Sequence, residues 1–89
     1  MPTISIPTPL RPYTDNNTEV TVSGDTVGVA LQDLVAQYPD LGAHLYAEGK
    51  LRNFVNVFLG DEDIRYLEGV ETAVSEDDRL RIIPSIAGG

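Results

Sequence analysis

Residues 79 to 89 read Arg79-Leu80-Arg81-Ile82-Ile83-Pro84-Ser85-Ile86-Ala87-Gly88-Gly89. The first five alternate as a β-strand does, and Pro84 ends the alternation, which predicts a final strand. Gly88 and Gly89 have no Cβ and can adopt almost any backbone angles. Five extended residues from Ser85 onward reach roughly 17 Å. We therefore predict a folded domain over residues 1–84 and a flexible tail over residues 85–89, whose carboxylate can enter a partner's active site.

The composition limits the classes of partner and of chemistry. Fourteen acidic and six basic side chains give the 89 residues a net charge of −8. Nucleic acids and anionic membranes favour positively charged proteins, so we expect neither as a partner and favour a basic protein surface. The same charge also fits a protein that only has to stay dissolved. Because the chain has no cysteine, it has no disulfide, thiolate metal ligand or cysteine nucleophile.

Length and the missing targeting signals lead us to expect one cytoplasmic domain. A chain of this size has a single core. The opening segment Met1-Pro2-Thr3-Ile4-Ser5 lacks the charged start and apolar run of a signal peptide. No apolar run approaches the length of a membrane span.

Two alternating runs near the start predict a β-hairpin. They are Thr3-Ile4-Ser5-Ile6-Pro7 and Glu19-Val20-Thr21-Val22-Ser23. Their alternation is typical of strands with one buried face. Pro7, Pro9 and Pro12 stop the first run, so we predict a wide, proline-rich loop between the two strands.

A helix is predicted after this hairpin. The positions that repeat with the spacing of one helix face are Val27, Leu31, Leu34 and Tyr38. Thr26 is suited to be the N-cap, because its hydroxyl can accept a bond from a free backbone N–H. Pro39 disfavours helical angles at the preceding residue, so the helix should end near Tyr38. Gly28 indicates either close packing or tolerance near the helix start. Residues 41–49 predict a short, irregular helix.

The second half of the chain predicts further strands. The run Phe54-Val55-Asn56-Val57-Phe58-Leu59 is rich in β-formers and nearly continuously apolar, as in a strand within a sheet. Its alternation puts Val55, Val57 and Leu59 on one side and Phe54, Asn56 and Phe58 on the other. Residues 60–63 predict a turn, residues 64–67 a short strand, and residues 75–78 another acidic turn.

Together these elements predict an α+β fold of β-grasp type. The order is ββαββ, with one main helix packed across a mixed sheet and the first and last strands side by side in parallel. The helix should bury Val27, Leu31 and Leu34 against the sheet. The sheet residues expected in that core are Ile4, Ile6, Val55, Val57 and Ile82.

Two groups of polar residues could in principle form a metal or catalytic site, but we interpret both as structural. His44 is the single histidine, with no cysteine or second histidine to share a metal ion. Asp61, Glu62 and Asp63 are adjacent, whereas calcium loops need more widely spaced ligands and a closing glutamate. We expect no bound metal ion.

The candidate partner-binding residues lie on the last strand and near it. Arg79 and Arg81 fall on one face of the final strand, which is either a contact surface or an ordinary solvated face. Phe58 joins them if it points outward. Ile86 follows in the tail and is the remaining candidate.

The chain resembles the ubiquitin-like sulfur carriers of bacteria, which include the small subunit of molybdopterin synthase and the thiamine-pathway carrier. Nearly the whole chain is covered, and the likeness is strongest to the branch that serves cysteine synthesis. The segments that carry it are Ser5-Ile6-Pro7-Thr8-Pro9-Leu10-Arg11-Pro12, Phe54-Val55-Asn56-Val57, Asp61-Glu62-Asp63-Ile64-Arg65 and Ala87-Gly88-Gly89. Thiamine carriers are typically shorter and lack such a proline-rich loop.

This resemblance implies a carrier and co-substrate and not an enzyme. A ubiquitin-activating-like enzyme would use ATP to adenylate the carboxylate of Gly89, and sulfur would then replace AMP to leave a thiocarboxylate. Gly88 and Gly89 would suit this step because a side chain there would obstruct the adenylating site, and Ala87 and Gly88 form the tail before the carboxyl group. The sulfur acceptor would be a cysteine synthase-like enzyme or the large subunit of molybdopterin synthase. No permanently bound cofactor is implied.

Two other classes of function remain open on the sequence. A protein modifier would use the same activation step and then join Gly89 to lysines of target proteins. A plain β-grasp interaction module would carry the tail incidentally, since many domains end in glycine-containing segments. The sequence also leaves open whether the Gly-Gly end is encoded or exposed by proteolysis.

Overall fold

A five-stranded mixed sheet forms the centre of the computed structural model, which describes residues 1–52 and 55–84. The strands are β1 (Thr3–Ser5), β2 (Glu19–Thr21), β3 (Tyr46–Ala47), β4 (Lys50–Leu51), β5 (Val55–Leu59), β6 (Glu62–Asp63) and β7 (Arg79–Pro84). The α-helices are α1 (Val27–Gln37) and α2 (Pro39–Leu45). Three short 3-10 helices cover Thr8–Thr14, Ile64–Tyr66 and Gly69–Glu71. The strand order in the sheet is β2-β1-β7-β5-β6, and β3 and β4 form a separate hairpin.

Strand β7 lies at the middle of the sheet. It runs parallel to β1, with Ile4 paired with Leu80. On its other side it runs antiparallel to β5, with Val57 paired with Ile82. The predicted parallel pairing of the first and last strands is therefore confirmed, and so is the α+β, β-grasp fold.

Helix α1 has the predicted bounds. The backbone N–H of Val29 donates to the Thr26 hydroxyl at 3.2 Å, so Thr26 is the N-cap. The helix ends at Gln37, and Pro39 opens α2. A Cβ on Gly28 would lie 3.1 Å from the Val70 carbonyl oxygen, which shows that close packing explains this glycine.

The segment after α1 contains more structure than its sequence predicts. The short helix is confirmed as α2, which buries Leu41 and Leu45. A hairpin of β3 and β4 then follows, and the sequence analysis did not predict it. Glu48 and Gly49 make its turn, with φ of 54° and 80°, and the glycine adopts that left-handed conformation without steric cost.

The prediction of a strand at residues 64–67 is wrong. Residues Ile64–Tyr66 form a 3-10 helix, and the short strand is Glu62–Asp63, within the predicted turn. The Asp63 carboxylate accepts a bond from the backbone N–H of Arg65 at 2.9 Å. This bond caps a helical turn, and it therefore overrides the β propensity of the segment.

One hydrophobic core lies between the sheet and the helices. All the residues predicted for it are buried there, Leu59 packs partly against it, and the inward side of β5 is as predicted. The further buried members are Leu10, Val20, Val22, Ala30, Leu41, Leu45, Ile64, Val74 and Leu80. Within the described parts of the chain, no helix has the length and apolar character to cross a membrane.

The predicted boundary between domain and tail at residue 84 stays a prediction. Residues 85–89 lie outside the described residues, as do Asn53 and Phe54.

Candidate functional site

The three candidate residues of the described sheet lie on one face of it. The alternation of β7 exposes Arg79 and Arg81 and buries Leu80 and Ile82. Arg81 is paired with Phe58 across the β5–β7 ladder. Residues paired across a ladder point to the same side of the sheet, so Phe58 shares the solvent face with both arginines.

Arg81 is the best positioned of these side chains. Its guanidinium carbon lies 5.6 Å from the centroid of the Phe58 ring, a distance typical of a cation–π contact. One of its Nη atoms donates to the Gly60 carbonyl oxygen at 3.2 Å. The same nitrogen lies 3.6 Å from a carboxylate oxygen of Asp61, which is fully exposed. An ion pair in water contributes little, so the backbone and ring contacts hold the guanidinium over Phe58.

Arg79 is less constrained. Its guanidinium lies 3.4 Å from the Glu19 carboxylate on β2, and both side chains are exposed. Such a pair is worth about 0–1 kcal/mol, so Arg79 can exchange Glu19 for a carboxylate of a partner at little cost.

Ile83 is an exposed apolar residue on the same face that sequence reasoning missed. It is paired with Asn56, and 40% of its surface is exposed. The alternation of β7 contained the signal, because it places Ile83 on the side of Arg79 and Arg81. We call the surface formed by Arg79, Arg81, Ile83 and Phe58 the arginine face.

A cleft opens beside Pro84, where the described part of β7 ends. Its volume is about 350 Å³. The lining residues are Pro9, Leu10, Ala43, His44, Arg52, Val55 and Pro84. We call it the tail-base cleft, because the predicted tail begins at the next residue. The sequence analysis did not predict it.

His44 lies in this cleft as a packed side chain. Its ring stacks on Tyr13 with a centroid separation of 4.1 Å. No group of three or more histidine or carboxylate side chains able to hold a metal ion occurs in residues 1–52 and 55–84. The geometry agrees with a structural interpretation of His44.

The acidic segment 61–63 is divided between two roles. Asp63 is only 8% exposed, and its carboxylate accepts a bond from a guanidinium Nη atom of Arg65 at 2.7 Å. Side-chain and backbone hydrogen bonds from Arg65 lower the pKa of Asp63 against the opposing effect of burial. Asp61 instead lies on the exposed turn beside Arg81. Both roles are structural, although only Asp61 lies in the turn, since Glu62 and Asp63 belong to β6.

The four candidate residues of the tail, Ile86, Ala87, Gly88 and Gly89, lie outside the described residues. Pro84 is the last described residue before the tail, and it adjoins both the tail-base cleft and the arginine face. Pro84 lines the tail-base cleft on one side and directly follows Ile83 of the arginine face.

The chain is similar to several known proteins, both in sequence and in structure. The chain matches the ThiS family over residues 4–89. It is 43% identical over 90 residues to the sulfur carrier protein CysO of Mycobacterium tuberculosis, covering 98% of this chain and 97% of that protein. The crystal structure of the BexX/CysO complex of Amycolatopsis orientalis contains a chain that matches with a TM-score of 0.91 and 39% identity, over 100% of both chains. The small archaeal modifier protein 1 of Methanosarcina acetivorans matches with a TM-score of 0.90 and 27% identity, over 99% of this chain and 95% of that one.

Proposed function

The chain belongs to the ThiS family, and from that membership we propose that it carries sulfur as a thiocarboxylate on the C-terminal carboxylate of Gly89. The chain is a ubiquitin-like sulfur carrier, and the predicted family resemblance is confirmed. The observation that carries the proposal is the near-complete match to CysO, together with a family match that extends through Gly89.

Two steps load the sulfur. A carboxylate oxygen of Gly89 attacks the α-phosphorus of ATP and displaces pyrophosphate, which leaves an acyl adenylate. Hydrosulfide then adds to the acyl carbon and displaces AMP, with release of a proton, and the product is the thiocarboxylate. Adenylation is needed because a free carboxylate has no good leaving group, whereas AMP leaves readily.

The chain's own contribution is to present the carboxylate. Gly88 and Gly89 have no side chain to obstruct an adenylating site, and Ala87 adds only a methyl group. Holding the acyl group in place makes its reaction effectively intramolecular within the complex. The chain is therefore a co-substrate, and the catalytic groups belong to the ubiquitin-activating-like enzyme.

The arginine face is the proposed contact surface for that enzyme. Arg79, Arg81 and Phe58 share one solvent face, and the strand that carries both arginines ends at Pro84, directly before the predicted tail. A partner that binds this face would be close to the tail, and Ile86 would extend the contact. Nucleic acid and membrane are not proposed as partners, because the net charge of −8 opposes both.

We propose cysteine synthesis in the cytoplasm as the destination of the sulfur, with a cysteine synthase-like enzyme as acceptor. The full-length likeness to proteins named CysO favours this branch. A molybdopterin synthase large subunit or a thiazole synthase is the alternative acceptor. Incubation of the thiocarboxylated chain with each purified acceptor and its substrate would distinguish them by which one removes the sulfur.

Conjugation to proteins is a second candidate function. The likeness to small archaeal modifier protein 1, at a TM-score of 0.90, favours it specifically. A modifier would leave Gly89 joined to lysine side chains of other proteins. Because the last basic residue of the chain is Arg81, mass spectrometry after trypsin cleavage would then find host lysines that carry residues 82–89 as a remnant.

Intact mass spectrometry tests the sulfur chemistry directly. The chain is incubated with ATP, hydrosulfide and the host's adenylating enzyme, beside a matched chain that lacks Gly89. We expect a mass gain equal to sulfur replacing oxygen in the complete chain only. If the enzyme loads another carrier but not this one, the thiocarboxylate proposal is wrong.

A further inference from the structure

The tail-base cleft is built from segments that are far apart in the sequence. Pro84 belongs to β7 and Val55 to β5, whereas Leu10 comes from the first 3-10 helix and Ala43 from α2. The fold therefore brings an apolar depression next to the residue from which the tail departs. Leu10 and Val55 also belong to the core, so the depression opens at the edge of the core, whereas no residue of the arginine face lines it.

Most of the lining is apolar, and its polar members are held in place. The side chains of Pro9, Leu10, Ala43, Val55 and Pro84 supply the apolar part. The Arg52 Nε atom donates to the Ala43 carbonyl oxygen at 3.1 Å, and His44 is stacked on Tyr13. A preformed apolar depression with oriented polar groups at its edge is typical of a binding site.

The position of the cleft limits what can occupy it. The five residues that follow Pro84 reach roughly 17 Å, so an enzyme that receives Gly89 must bring its surface close to the cleft. A second copy of this chain is disfavoured, since both molecules would carry a charge of −8.

We propose that the tail-base cleft receives an apolar side chain of the enzyme that adenylates the tail. This inference rests on the proposed function and extends it by a contact that is separate from the arginine face. The contact would fix the point from which the tail departs. It would affect binding of the carrier more than the chemical step, because the carboxyl group of Gly89 is five residues beyond Pro84 in the sequence.

A substitution that fills the cleft tests the proposal. Ala43 is exposed on α2 and lines the cleft, so Ala43→Trp places a large ring in it without disturbing the core. Ala36→Trp is the matched control, since Ala36 is exposed on α1 and lies outside the lining. Adenylation is followed as pyrophosphate release by the host's activating enzyme while the carrier concentration is varied.

We expect Ala43→Trp to raise the KM for the carrier by about tenfold or more, with kcat within about twofold, as loss of one buried apolar contact implies. Ala36→Trp should match the unsubstituted chain. Ala43→Gln, which only adds a polar group to the cleft, should raise KM in the same direction, and it replaces the tryptophan variant if circular dichroism shows that the latter is misfolded.

The outcomes separate this inference from the proposed function. If the unsubstituted chain is adenylated and the KM of both Ala43 variants equals that of Ala36→Trp, the cleft inference alone is overturned. A dimer of the unsubstituted chain that Ala43→Trp dissociates would also overturn it, because a second copy would then be the occupant. If the unsubstituted chain is never adenylated, the proposed function fails and the inference fails with it.

Discussion

At the scale of single residues, Thr26 has a measurable role in stability. Its hydroxyl accepts the Val29 N–H at the first turn of α1, and Thr26→Ala leaves that donor without its partner. We expect the free energy of unfolding to fall by about 1 kcal/mol. Urea denaturation followed by circular dichroism measures this loss. Thr18→Ala, in the exposed loop before β2, is the control and should unfold at the same urea concentration as the original chain.

Asp63 should make stability depend on acid pH. Its pKa is lowered in the folded chain by the hydrogen bonds from Arg65, so its stabilising effect is complete above the ordinary carboxyl pKa of about 4. The effect is lost as the pH falls through the lowered folded-state pKa. Asp63→Asn should therefore lower Tm at neutral pH, and the difference from the original chain should shrink as the pH falls below about 4.

The matched control for this prediction is Asp77→Asn. Asp77 is exposed in the turn before β7, so its substitution should change Tm little at any pH. A difference between Asp63→Asn and the original chain that stays constant down to about pH 2 would contradict the role given to ionised Asp63.

These two residues show which local features a sequence reveals. Thr26 could be recognised, because an N-cap precedes a helical repeat and a proline marks the other end. The Asp63 cap could not, because nothing in the chain says whether an aspartate between two β-forming runs bonds to solvent or to the backbone ahead. The error at residues 64–67 follows from that single bond.

At the scale of elements, β7 should be the most persistent part of the sheet. It is hydrogen-bonded to β1 and to β5, whereas β2 pairs only with β1 among the described strands. Amide hydrogen exchange measures the difference. We expect Leu80 and Ile82 to exchange about tenfold or more slowly than Val20, which is also buried but lies on edge strand β2. Equal rates would mean that the sheet opens only as a whole.

The strength of a pattern decided which elements were predictable. The strands β1, β2, β5 and β7 alternate or carry β-forming residues over several positions, and α1 repeats over three turns. The β3–β4 hairpin offers two residues per strand, which is too short for a period to show. Its turn forms because Glu48 and Gly49 both adopt positive φ, and glycine at only one of them is a weak signal.

At the scale of the whole molecule, the arginine face and the tail-base cleft differ in how well the sequence predicts them. The arginine face follows from alternation once β5 and β7 are neighbours, so its residues could be named in advance. The tail-base cleft depends on how the first loop and α2 pack around the ends of two strands. No periodicity encodes that arrangement, because it is a property of the assembled fold.

The overall charge predicts an effect of salt on carrier activation. A charge of −8 steers the chain toward a basic surface, and added salt screens that attraction. Raising the NaCl concentration from about 0.05 M to about 0.5 M should lower kcat/KM for adenylation and leave kcat nearly unchanged.

A variant with less charge supplies the control. Glu76→Gln combined with Asp77→Asn removes two of the fourteen acidic charges from the turn before β7. Its kcat/KM should depend less steeply on salt than that of the original chain. A rate that does not respond to salt in either protein would mean that the partner's surface is not basic.

The place of β7 also determines when this chain can fold during its synthesis. The ribosome makes β7 after every other described strand. Strands β1 and β5 are joined only through β7, which lies between them in the sheet. We therefore expect chains that stop short of residue 79 to leave the sheet incomplete and to be cleaved by proteases more readily than the full chain. A stable domain is thus expected to form only once the last described strand has been made.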